Sequence, residues 1–337
     1  MSRYNSSEQS DLKSVASALR ASRFPLFTTH ISPDGDGIGA ALILKRGLAR
    51  LGIPSRIGIR GPIPPILDFL HGPDEILEHP LSLSDNQIAE HDCVVLLDAP
   101  DLSRAGPIKD AIRPETRTII IDHHVCVPSG AEENTISFRC TRATATAEIA
   151  FDILEIHFAV RLDQELALPL YTALVTETGS FKFSNTTGRC LRLAARCVEA
   201  GIQPDVVSGN LFMRQKETSL RLLGRALAKI RRDETGRLAW IALSLQDFKD
   251  SGATHLDTFG LVGYPRSLEG VELAILLFED EPEFVKISFR SKREIDVSRI
   301  AAEFGGGGHV RAAGAAMRDS IGGVEEKVIS RAKAFLS

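Results

Sequence analysis

The sequence predicts an α/β protein: an N-terminal doubly wound, mostly parallel sheet, then a smaller C-terminal α/β domain, with a cleft between them. Three observations predict it. Short β-type runs alternate with helical stretches over the first 125 residues, the pattern of strand–helix–strand crossovers. The 337 residues exceed a typical single domain, so about two domains are expected. A second set of strand-like runs begins near residue 236, after a charged helical stretch.

Taken in order, FPLFTTH (24–30) reads as a strand, GIGAALILKRGLARLG (37–52) as a helix and SRIGIR (55–60) as a strand. CVVLLDA (93–99) and RTIIID (117–122) are short, apolar and β-branched, as parallel strands buried on both faces tend to be. Asp98 closes CVVLLD and Asp122 closes RTIIID. Open parallel sheets bind ligands at the carboxyl ends of their strands, so three strands deliver polar residues to one edge. From about 142 to 230 the pattern turns helical: ATATAEIAFDILEIHF, LDQELALPLYTALVTETGSF and TTGRCLRLAARCVEAG each repeat apolar residues at three and four. RQKETSLRLLGRALAKIRRDE (214–234) is the expected helical connector, and LAWIALS (238–244), VELAILLFE (271–279) and FVKISFRS (284–291) are strands. The expected division is therefore 1–212, a linker at 213–235, and 236–337.

Composition narrows the function. With 43% hydrophobic and 25% charged residues the chain is globular rather than disordered or fibrous. No apolar run approaches the ~20 residues that span a bilayer, and MSRYNSSEQSDLKS lacks the apolar region of a signal peptide. Five cysteines, at 93, 126, 140, 190 and 197, form no CxxC pair, which fits a reduced cytoplasm and not a zinc ribbon. A net charge of −4 offers no bulk attraction to long duplex nucleic acid.

The chemistry concentrates in three segments. His30-Ile-Ser-Pro-Asp34-Gly-Asp36-Gly sits at a strand-to-helix junction, where two carboxylates and a histidine can converge on hard or borderline cations. Gly35 and Gly37 are read as relaxing the backbone so that both side chains turn inward. Either aspartate can equally cap the following helix. Asp98 leaves a buried strand and needs a partner or a cation, unless it only caps the loop before Pro100. Asp122, His123 and His124 bring a third set of oxygen and nitrogen donors to the same edge. Together the donors suffice for two cations, which about 3.5 to 4 Å apart can bind phosphoryl oxygens, activate a water and stabilise the leaving oxygen. Asp98 is the candidate bridge.

These segments resemble the DHH phosphoesterase superfamily. HISPDGDG, VVLLDAPD, IIIDHH and TETGSFKFSNTT match its four successive motifs, and SFRSKREIDVSRIAAEFGGGGHVRAAGA resembles its DHH-associated domain in the branch of NrnA-type oligoribonucleases and pAp phosphatases. The resemblance implies one manganese on His30, Asp34 and Asp98, and a second on Asp36, Asp98, His123 and an acid of the fourth motif. It implies that His124 faces the substrate phosphate while Asp122 orients the neighbouring histidines. Magnesium or cobalt are alternative ions. The fourth motif departs from the family: Val175-Thr176-Glu177-Thr178-Gly179 carries Glu where most relatives carry Asp. Glutamate keeps the charge and adds a methylene, so it can still reach a metal.

At the substrate end, four glycines before His309 permit close backbone approach and can present amides to an anion. The resemblance assigns Gly306, Gly307, Gly308 and His309 to gripping the nucleotide, with Arg290 as a bidentate phosphate contact. Arg104 and Asn185 are further candidates, although a solvated arginine and a turn asparagine fit them as well. Few local donors favour short substrates, dinucleotides to pentanucleotides or pAp, over long strands. Rival readings are a phosphodiesterase for c-di-AMP or pApA, an inorganic pyrophosphatase, disfavoured by the GGGGH segment, and a non-catalytic nucleotide sensor. Relatives with this layout are often homodimers.

Overall fold

The computed structural model describes residues 4–124, 134–292 and 295–336; Cys126 lies outside them. The chain divides into two compact units, Met1–Arg214 and Gln215–Ser337.

The first unit contains strands β1 Pro25–Thr28, β2 Arg56–Arg60, β3 Ile76–His79, β4 Cys93–Leu97, β5 Arg117–Asp122 and β6 Thr135–Arg139. Its helices are α1 Ser6–Ala21, α2 Gly35–Ala49, α3 Asp85–Ala89, α4 Thr146–Phe158, α5 Gln164–Glu177, α6 Gly188–Glu199 and α7 Pro204–Phe212. The sheet order is β3-β2-β1-β4-β5-β6, every pair parallel. This is the doubly wound order in which the chain reverses direction across the sheet between β1 and β4, and a crevice opens there at the strands' carboxyl ends.

The apolar runs become strands because both faces are covered. Phe27, Val95, Leu97, Ile119 and Ile121 join one core with Leu19, Ile43, Phe151 and Leu170, whereas Leu26, Val94, Leu96 and Ile120 join a second core with Leu83, Ile88 and Ile108. Alternate residues thus serve opposite faces, the period of a strand. Helix α2 is buried over most of its length and packs against α4 and α5.

The second unit contains α8 Glu217–Ala228, β7 Arg231–Arg232, β8 Leu238–Leu243, α9 Leu245–Ser251, α10 Gly263–Ser267, β9 Leu273–Glu281, β10 Phe284–Ser291, α11 Val297–Ala302, β11 Gly307–His309, β12 Ala312–Arg318 and α12 Ile321–Ala334. Its sheet runs β11-β12-β10-β9-β8-β7, antiparallel except for β8 beside β9. In β9, Leu273, Ile275 and Leu277 face a core with Val324 and Val328, while Ala274, Leu276 and Phe278 face one with Leu222 and Phe248. The expected connector helix is shorter than its charged sequence suggests. Only Glu217–Ala228 is helical, because Leu222 and Ala226 are drawn into this second core and Arg231–Arg232 pair with β8.

Candidate metal centre

Every donor singled out in the first unit stands at one end of the sheet. His30 follows β1, Asp98 follows β4 directly, Asp122 ends β5 with His123 and His124 just beyond, and Glu177 is the last residue of α5. Helix α2 begins at Gly35, so Asp34 is its N-cap and Asp36 lies in its first turn. Asp34 Oδ1 accepts hydrogen bonds from the backbone of Asp36 and Gly37, both at 3.0 Å. Its Oδ2 lies 3.7 Å from His30 Nε2. One carboxylate therefore caps the helix and faces the histidine.

Gly35 and Gly37 have a different reason from the expected one. Both lie within the helix, and neither has a positive φ. What they supply is the missing side chain: a Cβ on Gly37 would stand 2.1 Å from Thr29 Oγ1, and one on Gly35 would stand 2.5 Å from Thr176 Oγ1. They let α2 settle against β1 and α5, which carries Asp36 inward until its side chain has no exposure.

Asp98 is the centre of the arrangement. It adopts φ +60°, a left-handed conformation uncommon for residues other than glycine but tolerated by aspartate. Its amide donates to Ile121 O at 3.0 Å. Its Oδ2 lies 3.6 Å from His30 Nε2 and its Oδ1 lies 3.4 Å from His123 Nε2. His123 Nε2 is also 3.6 Å from Asp36 Oδ2 and 3.9 Å from Glu177 Oε1. Three donor groups result, each with ligand atoms within 4.8 Å of one another: His30, Asp34 and Asp98; Asp36, His123 and Glu177; and Asp98, His123 and His124.

The residues fit divalent cations. Donor atoms coordinated to one ion at ~2.1 Å stand about 3 to 4 Å apart, the spacing found here and too long for direct hydrogen bonds. Among the described residues His123 Nε2 is buried without a hydrogen-bond partner, which is costly unless something binds it. Burial, then the charges of Asp98, Glu177 and Asp34, push the Asp36 carboxyl well above its ordinary range. Burial and the charges of Asp98 and Asp34 raise Glu177 to about 7. Like charges crowded in this way are relieved by cations. Burial lowers His123, although Asp98 opposes it, a shift toward the neutral imidazole, the form that coordinates metals.

The fourth-motif glutamate thus lies among the donors. His124 differs from its neighbour: its Nδ1 donates to Asp122 Oδ1 at 2.8 Å, and its side chain is 43% exposed. That bond, ahead of opposing burial, raises its pKa. Asp122 therefore orients His124, while His123 Nδ1 lies 3.4 Å from Ala143 O.

Three supporting residues have no motif in the sequence. The amides of Thr146 and Ala147, at the N-terminus of α4, donate to Asp36 Oδ2 and Oδ1 at 2.6 and 2.8 Å, a good seat for a carboxylate. Thr146 Oγ1 donates to Asp98 Oδ1 at 3.0 Å. Arg139 Nε pairs with the fully buried Asp122 Oδ2 at 3.1 Å. The only hint is the small-residue stretch ATAT opening a helix, which lets two helical amides approach the carboxylates.

Two family models match the chain. Residues 26–174 match the DHH family, N-terminal domain, and residues 239–337 match the DHHA1 domain. The bifunctional oligoribonuclease and PAP phosphatase NrnA of Thermus thermophilus is 32% identical over 308 residues, covering 91% of this chain and 88% of that protein. The chain belongs to the DHH family. The NrnA protein of Bacillus subtilis is 28% identical over 294 residues, covering 86% and 87%, so the membership is in the NrnA-like branch. An exopolyphosphatase-related protein from Bacteroides fragilis superposes with a TM-score of 0.88 at 26% identity, covering 97% of this chain and 98% of that one.

In the DHH unit the two weaker candidates divide. Asn185 turns inward: its Nδ2 donates to Glu177 O at 3.1 Å and its Oδ1 is buried. It holds the end of the helix that carries Glu177. The Arg104 side chain is exposed, and its carbonyl accepts from the Ile31 amide at 2.9 Å, bracing the loop after His30. In the DHHA1 domain, Arg290 ends near the edge of β10, pairing in register with Ala312, which pairs in turn with His309. Arg290 has no acidic partner among the described residues, and burial with the charge of Arg266 lowers its pKa. The side chain of His309 lies outside the described residues. Gly307 and Gly308 lie in a strand, not a loop, and Cβ atoms on Gly306 and Gly308 would stand 2.1 and 2.5 Å from the carbonyls of Gly314 and Ala312.

Proposed function

We propose that the chain is a manganese-dependent phosphoesterase of the cytoplasm that hydrolyses short oligoribonucleotides and pAp to mononucleotides. The observation that carries the reading is Asp98, one buried carboxylate presenting one oxygen to each of two donor groups. The relatives named for oligoribonuclease and PAP phosphatase activity support the substrate class. The four described cysteines, all free and buried, fit a reducing compartment.

His30, Asp34 and Asp98 would hold one divalent cation, and Asp36, Asp98, His123 and Glu177 the other. When bound, the pair supplies Lewis-acid stabilisation of phosphoryl oxygens and an activated water. The protein's own groups do the rest. Asp122 fixes the half-exposed His124 ring beside Asp98, where it would face the substrate phosphate and stabilise added charge. Thr146 and Ala147 keep Asp36 and Asp98 in place without reorganisation. The place of Glu177 beside Asp36 and His123 favours the enzyme over a sensor with one weakened site.

Turnover of pAp, pApA, c-di-AMP and short RNA by the manganese-loaded protein tests this reading. The expected result is two ions per chain, with hydrolysis of short RNA and pAp ahead of c-di-AMP. Full activity in Asp98→Ala, or in metal-stripped protein, would sink it.

A further inference from the structure

The segment just past Glu177 is unusual in its backbone. Gly179, Ser180 and Phe181 are consecutive left-handed residues, with φ of +55°, +61° and +63°, a run that L residues other than glycine rarely adopt. Hydrogen bonds over-determine it. The Ser180 amide donates to Val175 O at 2.8 Å, the Lys182 and Phe183 amides both donate to Thr178 O at 3.0 and 2.9 Å, and the Phe181 amide donates to Thr178 Oγ1 at 2.9 Å. Asn185 closes the loop back onto Glu177.

This turn treats its two phenylalanines differently. Phe181 packs against the core and meets Tyr171 edge to face at 6.3 Å. Phe183 stays 50% exposed. Its ring is seated on Gly179: a Cβ there would lie 2.4 Å from Phe183 Cζ and 2.6 Å from Cε2. A lone exposed ring on a protein surface needs no explanation. This one is held by a strained turn, on a loop that leaves from and returns to a candidate ligand. Lys182 beside it is exposed and has no ion-pair partner among the described residues.

We propose that Phe183 is the stacking surface for the nucleobase next to the hydrolysed phosphate, a substrate-binding residue that does not discriminate among bases. The inference rests on the phosphoesterase reading. Every base has a π face, so stacking on an aromatic ring gives affinity that tolerates sequence. A chain with net charge −4 has no bulk attraction for a polyanion, so base stacking supplies affinity for single-stranded substrates that net charge does not. The fixed ring loses little freedom when a base settles on it.

The test uses the manganese-loaded full chain with Phe183→Ala, Phe183→Leu and Phe183→Tyr. Binding is read by the quenching of 2-aminopurine in a dinucleotide with a non-hydrolysable methylenephosphonate linkage. Turnover is read on a natural dinucleotide and on its abasic counterpart. Alanine and leucine should weaken binding and raise KM for the natural dinucleotide about 10-fold or more. Tyrosine should match the wild type, and the abasic substrate should be indifferent to all three changes. Leucine as good as phenylalanine, or equal losses on the abasic substrate, would overturn stacking. If the wild type binds through Phe183 but hydrolyses neither dinucleotide, the phosphoesterase reading fails and stacking stands. If turnover is robust and blind to Phe183, the reverse holds.

Discussion

Thr146→Val tests whether Asp98 serves two ions. Valine replaces the hydroxyl with a methyl of similar shape and leaves the Thr146 amide on Asp36 Oδ2 untouched. What disappears is the 3.0 Å bond from Thr146 Oγ1 to Asp98 Oδ1, formed where Thr146 is fully buried. A hydrogen bond to a charged group contributes roughly 1.5 to 3 kcal/mol. Losing a residue that orients a metal ligand costs about 10- to 100-fold in metal affinity. Since Asp98 Oδ1 faces His123 and Oδ2 faces His30, rotation of this one carboxylate misdirects both oxygens, so both dissociation constants should rise together. Isothermal titration with manganese reads both, a thermal melt checks that the fold is intact, and Thr146→Ser should restore the wild-type values. Loss at one site alone, or serine no better than valine, would refute the shared bridge.

Four further outcomes follow from the same contacts. Gly37→Ala should destabilise by about 1 to 3 kcal/mol through overpacking, since its Cβ would meet Thr29, whose Oγ1 donates to Leu97 O at 2.9 Å; adding Thr29→Ala should recover part of that loss in urea denaturation, and strict additivity would count against the contact. Glu177→Gln should weaken the ion at Asp36 and His123 about 10-fold or more and spare the one at His30, which a two-site titration distinguishes from a uniform loss. Arg189→Met should cost about 3 kcal/mol in equilibrium unfolding, because Glu148 and Asp152, each 1% exposed, would lose the arginine that pairs with both; a neutral effect would show that their other partners suffice. Asp92 resists the effect of its burial by accepting from the Arg23 and Phe24 amides and the Ser22 hydroxyl, which lowers its pKa below the ordinary 3.8; its stabilisation is present above the unfolded value and lost as pH falls through the folded one, so Asp92→Asn should flatten the stability curve below about pH 4, and an unchanged slope in acid denaturation would contradict this.

The elements legible in the sequence are those whose own residues carry the pattern. CVVLL and RTIIID read as strands because a strand covered on both faces is apolar throughout. Strand β6, TISFR, escaped notice because it is a short edge strand with one residue fully buried, and α1 because its polar sequence presents only a narrow apolar stripe. The candidate metal donors were legible because chemistry selects their residue types, whatever their neighbours. Their supports were not: Thr146 meets Asp36 across 110 positions of sequence, and an amide donor leaves no mark in a residue's identity. The glycines of the first motif show the same limit, since a residue chosen for what it lacks reveals its reason only once Thr29 and Thr176 are in place. Asp34 shows a different one. Capping the helix and holding a cation look like competing roles in a sequence, where a residue is one letter; in space the carboxylate has two oxygens, and Oδ1 takes the cap while Oδ2 faces His30. The cap and the candidate ligand role are then compatible, because the amides that fix Oδ1 are what aim Oδ2 at His30.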